Sequence, residues 1–254
     1  MTLRLEKQGA IARLLIDRAE KRNAFTQVMW EALPVLLDEA MADDAVKVVI
    51  LQSATTGVFC AGADIAEFGA GALDPEWRER NQQAISRAQI ELTRAEKPVI
   101  AAIDGDCVGG GCGLSIACDM RVASPRARFG ITPAKLGLVY SLHDTKLLVD
   151  LVGPAQAKRI LFTAQLLPAD EAQRIGLIEI LDTDPLAAAE ALAQTIALAS
   201  SHSVRQTKKI VRRILDGQAD DNAETTALFG AAFTGPDFKE GVSAFLEKRK
   251  AVFR

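Results

Sequence analysis

Residues 97–119, KPVIAAIDGDCVGGGCGLSIACD, run from an apolar stretch through Gly109-Gly110-Gly111 into a second apolar stretch. Read as strand, turn and helix, this segment exposes the first backbone N–H groups of the helix. Those groups have no partner inside the helix, and the helix dipole adds partial positive charge. Glycines let another backbone or a ligand come close. Such a turn can hold an oxyanion or a phosphate. Neither a P-loop nor a G-x-G-x-x-G pattern is present, so nucleotide phosphate is not favoured. Residues 58–67, VFCAGADIAE, make the same passage, and Ala61, Gly62 and Ala63 are small enough to leave an amide accessible. Taken alone, each segment also reads as a packing turn or a plain surface loop.

Residues 138–144, LVYSLHD, gather the other polar candidates: Tyr140, Ser141, His143 and Asp144. Tyr140 is the only tyrosine, and it suits a half-buried packing role as well as a catalytic one. Adjacent residues on a helix point apart, so Asp144 reads as a first-turn residue, not as the partner of His143. Asp64 likewise reads as a helix start. The four cysteines, Cys60, Cys107, Cys112 and Cys118, form no C-x-x-C, and there are only two histidines. No metal site is expected; the thiols read as small buried groups in a reducing compartment.

The elements that must carry these groups follow from apolar spacing. Residues 3–17 read as a two-stranded hairpin turning at Gln8-Gly9, and 26–41 as a helix capped by Thr26. Residues 46–51, 98–103 and 120–123 are buried-strand runs, and 75–96 a helix with Pro75 in its first turn. From Pro154 onward the pattern is helical, over 185–200, 204–215, 222–233 and 237–250, with Asp184-Pro185 as a cap and first-turn pair. Strand-and-helix units come first and helices last, which implies an α/β core with a helical appendage. Residues 1–7 lack the apolar centre of a signal peptide and no stretch is fit to span a bilayer, so a cytoplasmic protein is expected. A net charge of −3 and the lack of a lysine-rich helix argue against nucleic acid.

Together these segments resemble the crotonase superfamily, the enoyl-CoA hydratase/isomerase family. The resemblance runs through residues 59–65, 97–105, Gly109-Gly110-Gly111 and Cys118-Asp119, through Phe129-Gly130, 161–164 and 172–177, to the tail EGVSAFLEKRKAVF, and so spans essentially the whole chain. It implies a spiral of ββα units over residues 1–200 and a helical trimerisation region over 201–254 within one functional unit. It further implies a homotrimer or a dimer of trimers, and an acyl-CoA thioester as substrate. No cofactor is implied, since coenzyme A is part of the substrate. The thioester oxygen would sit between the amides of Ala63 and Gly110. Arg22 would lie near the coenzyme A phosphates, and the backbone of Ala61, Asp64 and Ile65 near the adenine. Phe245 and Lys248 would reach a neighbouring subunit's nucleotide. For Arg22 and Lys248 a solvated surface charge is the competing reading.

The chain departs from the family where family hydratases carry two glutamates. The place after the glycine-rich turn is Gly113, and the place after the proline is Ala134. Hydration needs a base for water and an acid for the α-carbon, so a different reaction is expected. Ser141 stands where some relatives carry a later aspartate, and it is neutral. Residues 131–140 resemble the methylmalonyl-CoA decarboxylase branch, which has a tyrosine matching Tyr140 but a histidine where this chain has Ala63. Decarboxylation yields an enolate with no base. Open alternatives are a degenerate acyl-CoA-binding protein, a hydratase or isomerase using other residues, and RNA binding, which one branch of the family shows.

Overall fold

The computed structural model describes residues 2–253; Met1 and Arg254, the end residues of the regions 1–200 and 201–254 read above, lie outside the described residues. Strands are β1 (Leu3–Gln8), β2 (Ile11–Ile16), β3 (Val48–Ser53), β4 (Val58–Cys60), β5 (Val99–Ile103), β6 (Asp106–Val108), β7 (Met120–Ala123), β8 (Arg128–Gly130), β9 (Leu167–Pro168) and β10 (Ile180–Leu181). Helices are α1 (Gln27–Ala42), α2 (Ile65–Gly71), α3 (Pro75–Arg94), α4 (Gly110–Ala117), α5 (Leu142–Thr163), α6 (Ala169–Arg174), α7 (Pro185–Ala197), α8 (Ser201–Leu215), α9 (Ala223–Ala232) and α10 (Pro236–Leu246).

Two sheets result, with orders β1-β2-β3-β5-β7-β10 and β4-β6-β8-β9. Only β1–β2 and β8–β9 pair antiparallel. Each of β3–β4, β5–β6 and β7–β8 gives its first strand to the large sheet and its second to the small one, and a helix follows. That repeat is the spiral of ββα units that the resemblance implies. The large sheet is covered on both faces, so β3 and β5 are buried almost throughout rather than alternating. One face meets α1, α3 and α4 in the main core, with Trp30, Leu33, Leu37 and Leu92. On the other, Ala189 and Ala193 of α7 pack on Val48, Ile50, Ile100 and Val122.

The expected caps are in place. Thr26 accepts from the Met29 amide, Asp74 precedes Pro75, and Asp184 accepts from Ala187 ahead of Pro185. Some boundaries differ: α8 begins at Ser201 and α10 ends at Leu246, and α5, whose start at Leu142 fits Asp144 as a first-turn residue, runs on past Pro154, where the helical region was expected to begin. Gly153, at φ 73° and ψ 164°, breaks the helix just before that proline, so two helical stretches join there. Past residue 200 burial drops sharply: α8 has no buried residue, and α9 and α10 have one each. No helix of the described residues is long and apolar enough to cross a membrane.

Candidate active site

Two backbone segments meet at the end of the small sheet. After β4, the Ala61 amide donates to the Arg22 carbonyl at 3.0 Å. Phe25 then runs parallel to Ala63, its amide donating to the Gly62 carbonyl at 2.7 Å and its carbonyl accepting from the Asp64 amide at 2.8 Å. Because N–H directions alternate along an extended segment, these bonds turn the Ala63 amide away from Phe25. It has no hydrogen-bond partner among the described residues. The second segment is Gly109-Gly110. The Gly109 amide donates to the Gly130 carbonyl at 2.8 Å, and α4 opens at Gly110 with that residue's N–H outside the helical ladder.

Glycines let the segments touch. Gly62 has φ +97°, and a Cβ on it would stand 2.9 Å from the Val108 carbonyl and 3.0 Å from the Gly110 nitrogen. A Cβ on Gly111 would overlap the Cys60 carbonyl. The Ala63 nitrogen lies 3.6 Å from where a Cβ on Gly110 would sit. Two free amides at one helix start form a place for an oxyanion. The buried Trp30 indole also lies against Gly110, and its Nε1 has no partner among the described residues.

Further along α4, a Cβ on Gly113 would overlap the Gln89 amide nitrogen and stand 3.0 Å from the Tyr140 hydroxyl. So the space beside Gly113 holds two neutral polar groups. The Tyr140 hydroxyl is buried without a partner. Burial raises its pKa well above the ordinary value, and the Asp144 carboxylate adds to the shift. It therefore stays a neutral donor. Asp144 itself is buried, its amide is capped by Ser141, and His143 Nδ1 lies 3.0 Å from its Oδ1. The expectation that His143 and Asp144 point apart is corrected: at the first turn of α5 both side chains can bend to one side. Asp144 is a first-turn residue, as expected.

Asp64 caps α2 through the amides of Ala66 and Glu67 and pairs with Arg18 at 2.7 Å. The Arg18 hydrogen bond, with those amides, holds its carboxyl below the ordinary range. Arg22 has left-handed backbone; its carbonyl anchors Ala61, while its side chain is 71% exposed and reaches Asp106 at 3.3 Å. Ile65 is exposed at the start of α2. Phe245, 83% exposed, and Lys248, with left-handed backbone, lie on and after α10. Ala134 is exposed in the turn Pro133–Leu136. All four thiols are free and buried, burial pushing those of Cys60 and Cys118 up to about 12. No metal-binding cluster occurs among the described residues. Helix α8 is more basic than expected, but Arg205, Lys208, Arg212 and Arg213 are each paired with an acidic side chain.

Gln89 and Trp30 were not anticipated. Gln89 had a signal: it falls on the stripe Asn81, Ala84, Ala88, Leu92 that α3 buries, where a glutamine is out of place. Two cavities of about 610 and 520 Å³ lie beside α8 and include none of Ala63, Gly110 and Tyr140.

Comparison with known proteins agrees with the fold. The Enoyl-CoA hydratase/isomerase family model matches residues 6–254. The chain is 35% identical over 251 residues to the short-chain-enoyl-CoA hydratase of Clostridium acetobutylicum, covering 97% of this chain and 95% of that protein. It is 36% identical to the crotonyl-CoA hydratase of Syntrophomonas wolfei, covering 98% and 96%. A crystal structure of an enoyl-CoA hydratase/isomerase family protein from Hyphomonas neptunium superposes with TM-score 0.97 at 42% identity, covering 100% of this chain and 98% of that one. The glycine-on-glycine contact, the two-sheet spiral and these full-length similarities lead to one conclusion: the chain belongs to the enoyl-CoA hydratase/isomerase family.

Proposed function

We propose that the protein binds an acyl-CoA thioester with the carbonyl oxygen between the Ala63 and Gly110 amides and forms an enolate by loss of carbon dioxide. The observation that carries this reading is the slot beside Gly113, filled by the Gln89 carboxamide and the un-ionised Tyr140 hydroxyl. Adding water needs a base for the water and an acid for the α-carbon. Decarboxylation needs no base: the bond from the α-carbon to the carboxylate breaks, its electron pair enters the enolate, and the α-carbon then takes a proton. The two amides stabilise the enolate oxygen, each worth about 3 kcal/mol. Tyr140 orients the leaving carboxylate or delivers the proton. Arg22, the backbone of Ala61, Asp64 and Ile65, and Phe245 with Lys248 of a neighbouring subunit hold the nucleotide.

A second reading has one observation behind it. The buried Asp144 is close enough to Tyr140 to shift it, so a hydratase could draw on Asp144. Relatives named as hydratases favour that option. Parallel assays of malonyl-CoA decarboxylation and crotonyl-CoA hydration separate the two. Carbon dioxide release without hydration supports the first reading; rapid hydration abolished by Asp144→Asn supports the second. Binding without turnover of any acyl-CoA would leave a degenerate binding protein.

We also propose that residues 201–254 form an assembly region attached to a core of residues 1–200. Phe238, Val242, Phe245 and Leu246 form an apolar stripe on α10 that the single chain leaves largely exposed. A trimer or a dimer of trimers would cover it. Light scattering at micromolar concentration tests this, and a monomer mass would refute it. The free thiols fit a cytoplasmic setting.

A further inference from the structure

The side chain of Gln89 is only 2% exposed. Its backbone carbonyl accepts from Thr93, but its carboxamide has no hydrogen-bond partner among the described residues. The Tyr140 hydroxyl is buried and has no partner, and it and the Gln89 amide nitrogen both reach the space that a side chain on residue 113 would fill. A buried hydroxyl without a partner is costly, because it has given up its water, and the carboxamide beside it has no bond of its own that a ligand would have to break. Neither satisfies the other, although both lie beside Gly113. Gly113 itself sits one turn along α4 from Gly110, so the pair faces the acyl group of a thioester whose oxygen is held at Gly110.

We propose that Gln89 determines acyl specificity: its carboxamide and the Tyr140 hydroxyl together bind an oxygen carried on C3 of the acyl chain. The inference rests on the acyl-CoA reading given above and adds a substrate class to it. Two groups share that chemistry, the carboxylate of a malonyl-type thioester and the ketone of a 3-oxoacyl thioester. An apolar acyl chain leaves both protein groups unpaired and binds more weakly. Gly113 is part of the device, since any side chain there would displace the carboxamide.

The test is calorimetric binding of malonyl-CoA, acetoacetyl-CoA and butyryl-CoA to the wild type and to Gln89→Leu, which keeps the volume and removes the amide. The wild type is expected to prefer at least one of the two oxygenated ligands over butyryl-CoA by about tenfold or more, the usual penalty for stranding a buried polar group. Which of the two it prefers identifies the natural class. In Gln89→Leu that preference should fall by about tenfold, with butyryl-CoA bound as well as before or better. Gln89→Met serves if the leucine variant does not fold. Equal wild-type affinities for all three ligands would overturn the inference while leaving the acyl-CoA reading intact. An equal loss for all three in the variant would do the same, marking Gln89 as structural. Failure of the wild type to bind any of them would overturn both.

Discussion

The two ends of the candidate site are built from different material. At the end proposed for the thioester the candidate groups are backbone amides, fixed by glycine contacts that leave no room for a side chain: Gly62 on Val108 and Gly110, Gly111 on Cys60. At the acyl end they are side chains, Gln89 from α3 and Tyr140 from an exposed segment in which Val139 is 96% accessible. Backbone donors cannot be exchanged by substitution, only displaced. Side-chain donors can be exchanged one at a time without disturbing the fold. A family with one oxyanion hole and many reactions is the expected result of such a division. Similarity over the whole chain therefore reports the first end well and the second poorly.

The sharpest way to break this comparison is to ask for hydration. Wild-type turnover of crotonyl-CoA should fall about 10⁴-fold or more below that of an ordinary hydratase, since each missing acid–base group is worth roughly 10²–10⁴. An absorbance assay of the enoyl thioester measures it. Gly113→Glu with Ala134→Glu should not restore it, because the new Glu side chain meets the Gln89 carboxamide. Ordinary hydration by the wild type would mean that the acyl end is not what its side chains suggest. Next in size is the backbone end. Gly62→Ala forces a Cβ toward the Val108 carbonyl at a φ that only glycine adopts freely. Turnover of whatever substrate is found should drop about 10²–10³-fold as one oxyanion donor is displaced, and thermal denaturation should show a loss of about 1–3 kcal/mol. Unchanged kinetics would show that the glycine contact does not set the amides. Smaller again is Tyr140→Phe. Turnover should fall about a hundredfold, whereas the melting temperature should hold or rise, because an unpaired buried hydroxyl has been removed. If the melting temperature falls and turnover does not, the hydroxyl serves packing.

Much of the thioester end was legible in sequence. Glycines, small residues and strand-to-helix passages announce exposed amides because only the backbone is involved, and backbone habits are local. The helix starts at Thr26, Asp64, Pro75 and Asp184 were legible for the same reason. The acyl end was half legible. Tyr140 stood out as a lone tyrosine, but Gln89 lies in a different helix, and nothing local says that α3 brings it to Gly113. The bond between His143 and Asp144 was misjudged because the rule for neighbouring residues holds along a helix and relaxes at its first turn. The continuity of α5 escaped because Gly153-Pro154 mimics a beginning when it is a break in the middle.

The smallest expected effect concerns what holds the backbone end in place. Asp104, at the turn between β5 and β6, accepts from the Gly57 amide at 2.8 Å and from Arg126 Nε at 2.7 Å. It thus ties the loop entering β4, the strand that leads to Ala63, to the turn that leads through β6 to Gly110. The Arg126 hydrogen bonds, with help from the Gly57 amide, hold its carboxyl below the ordinary aspartate value despite burial. A carboxyl whose folded pKa lies below its unfolded one contributes stability above the unfolded value and loses it as pH falls through the folded one. Asp104→Asn should therefore cost stability at neutral pH, and the gap to wild type should close as pH falls below about 4, toward the folded pKa. Because Arg126 is 62% exposed, solvent weakens the pair and the difference should be about 1 kcal/mol or less. Melting curves of both proteins from neutral pH into acid, at low and high salt, measure it. If the gap persists unchanged below that range, the carboxylate's charge is not what joins the two segments, and the Gly57 hydrogen bond, which an asparagine oxygen can also accept, does not account for the difference either.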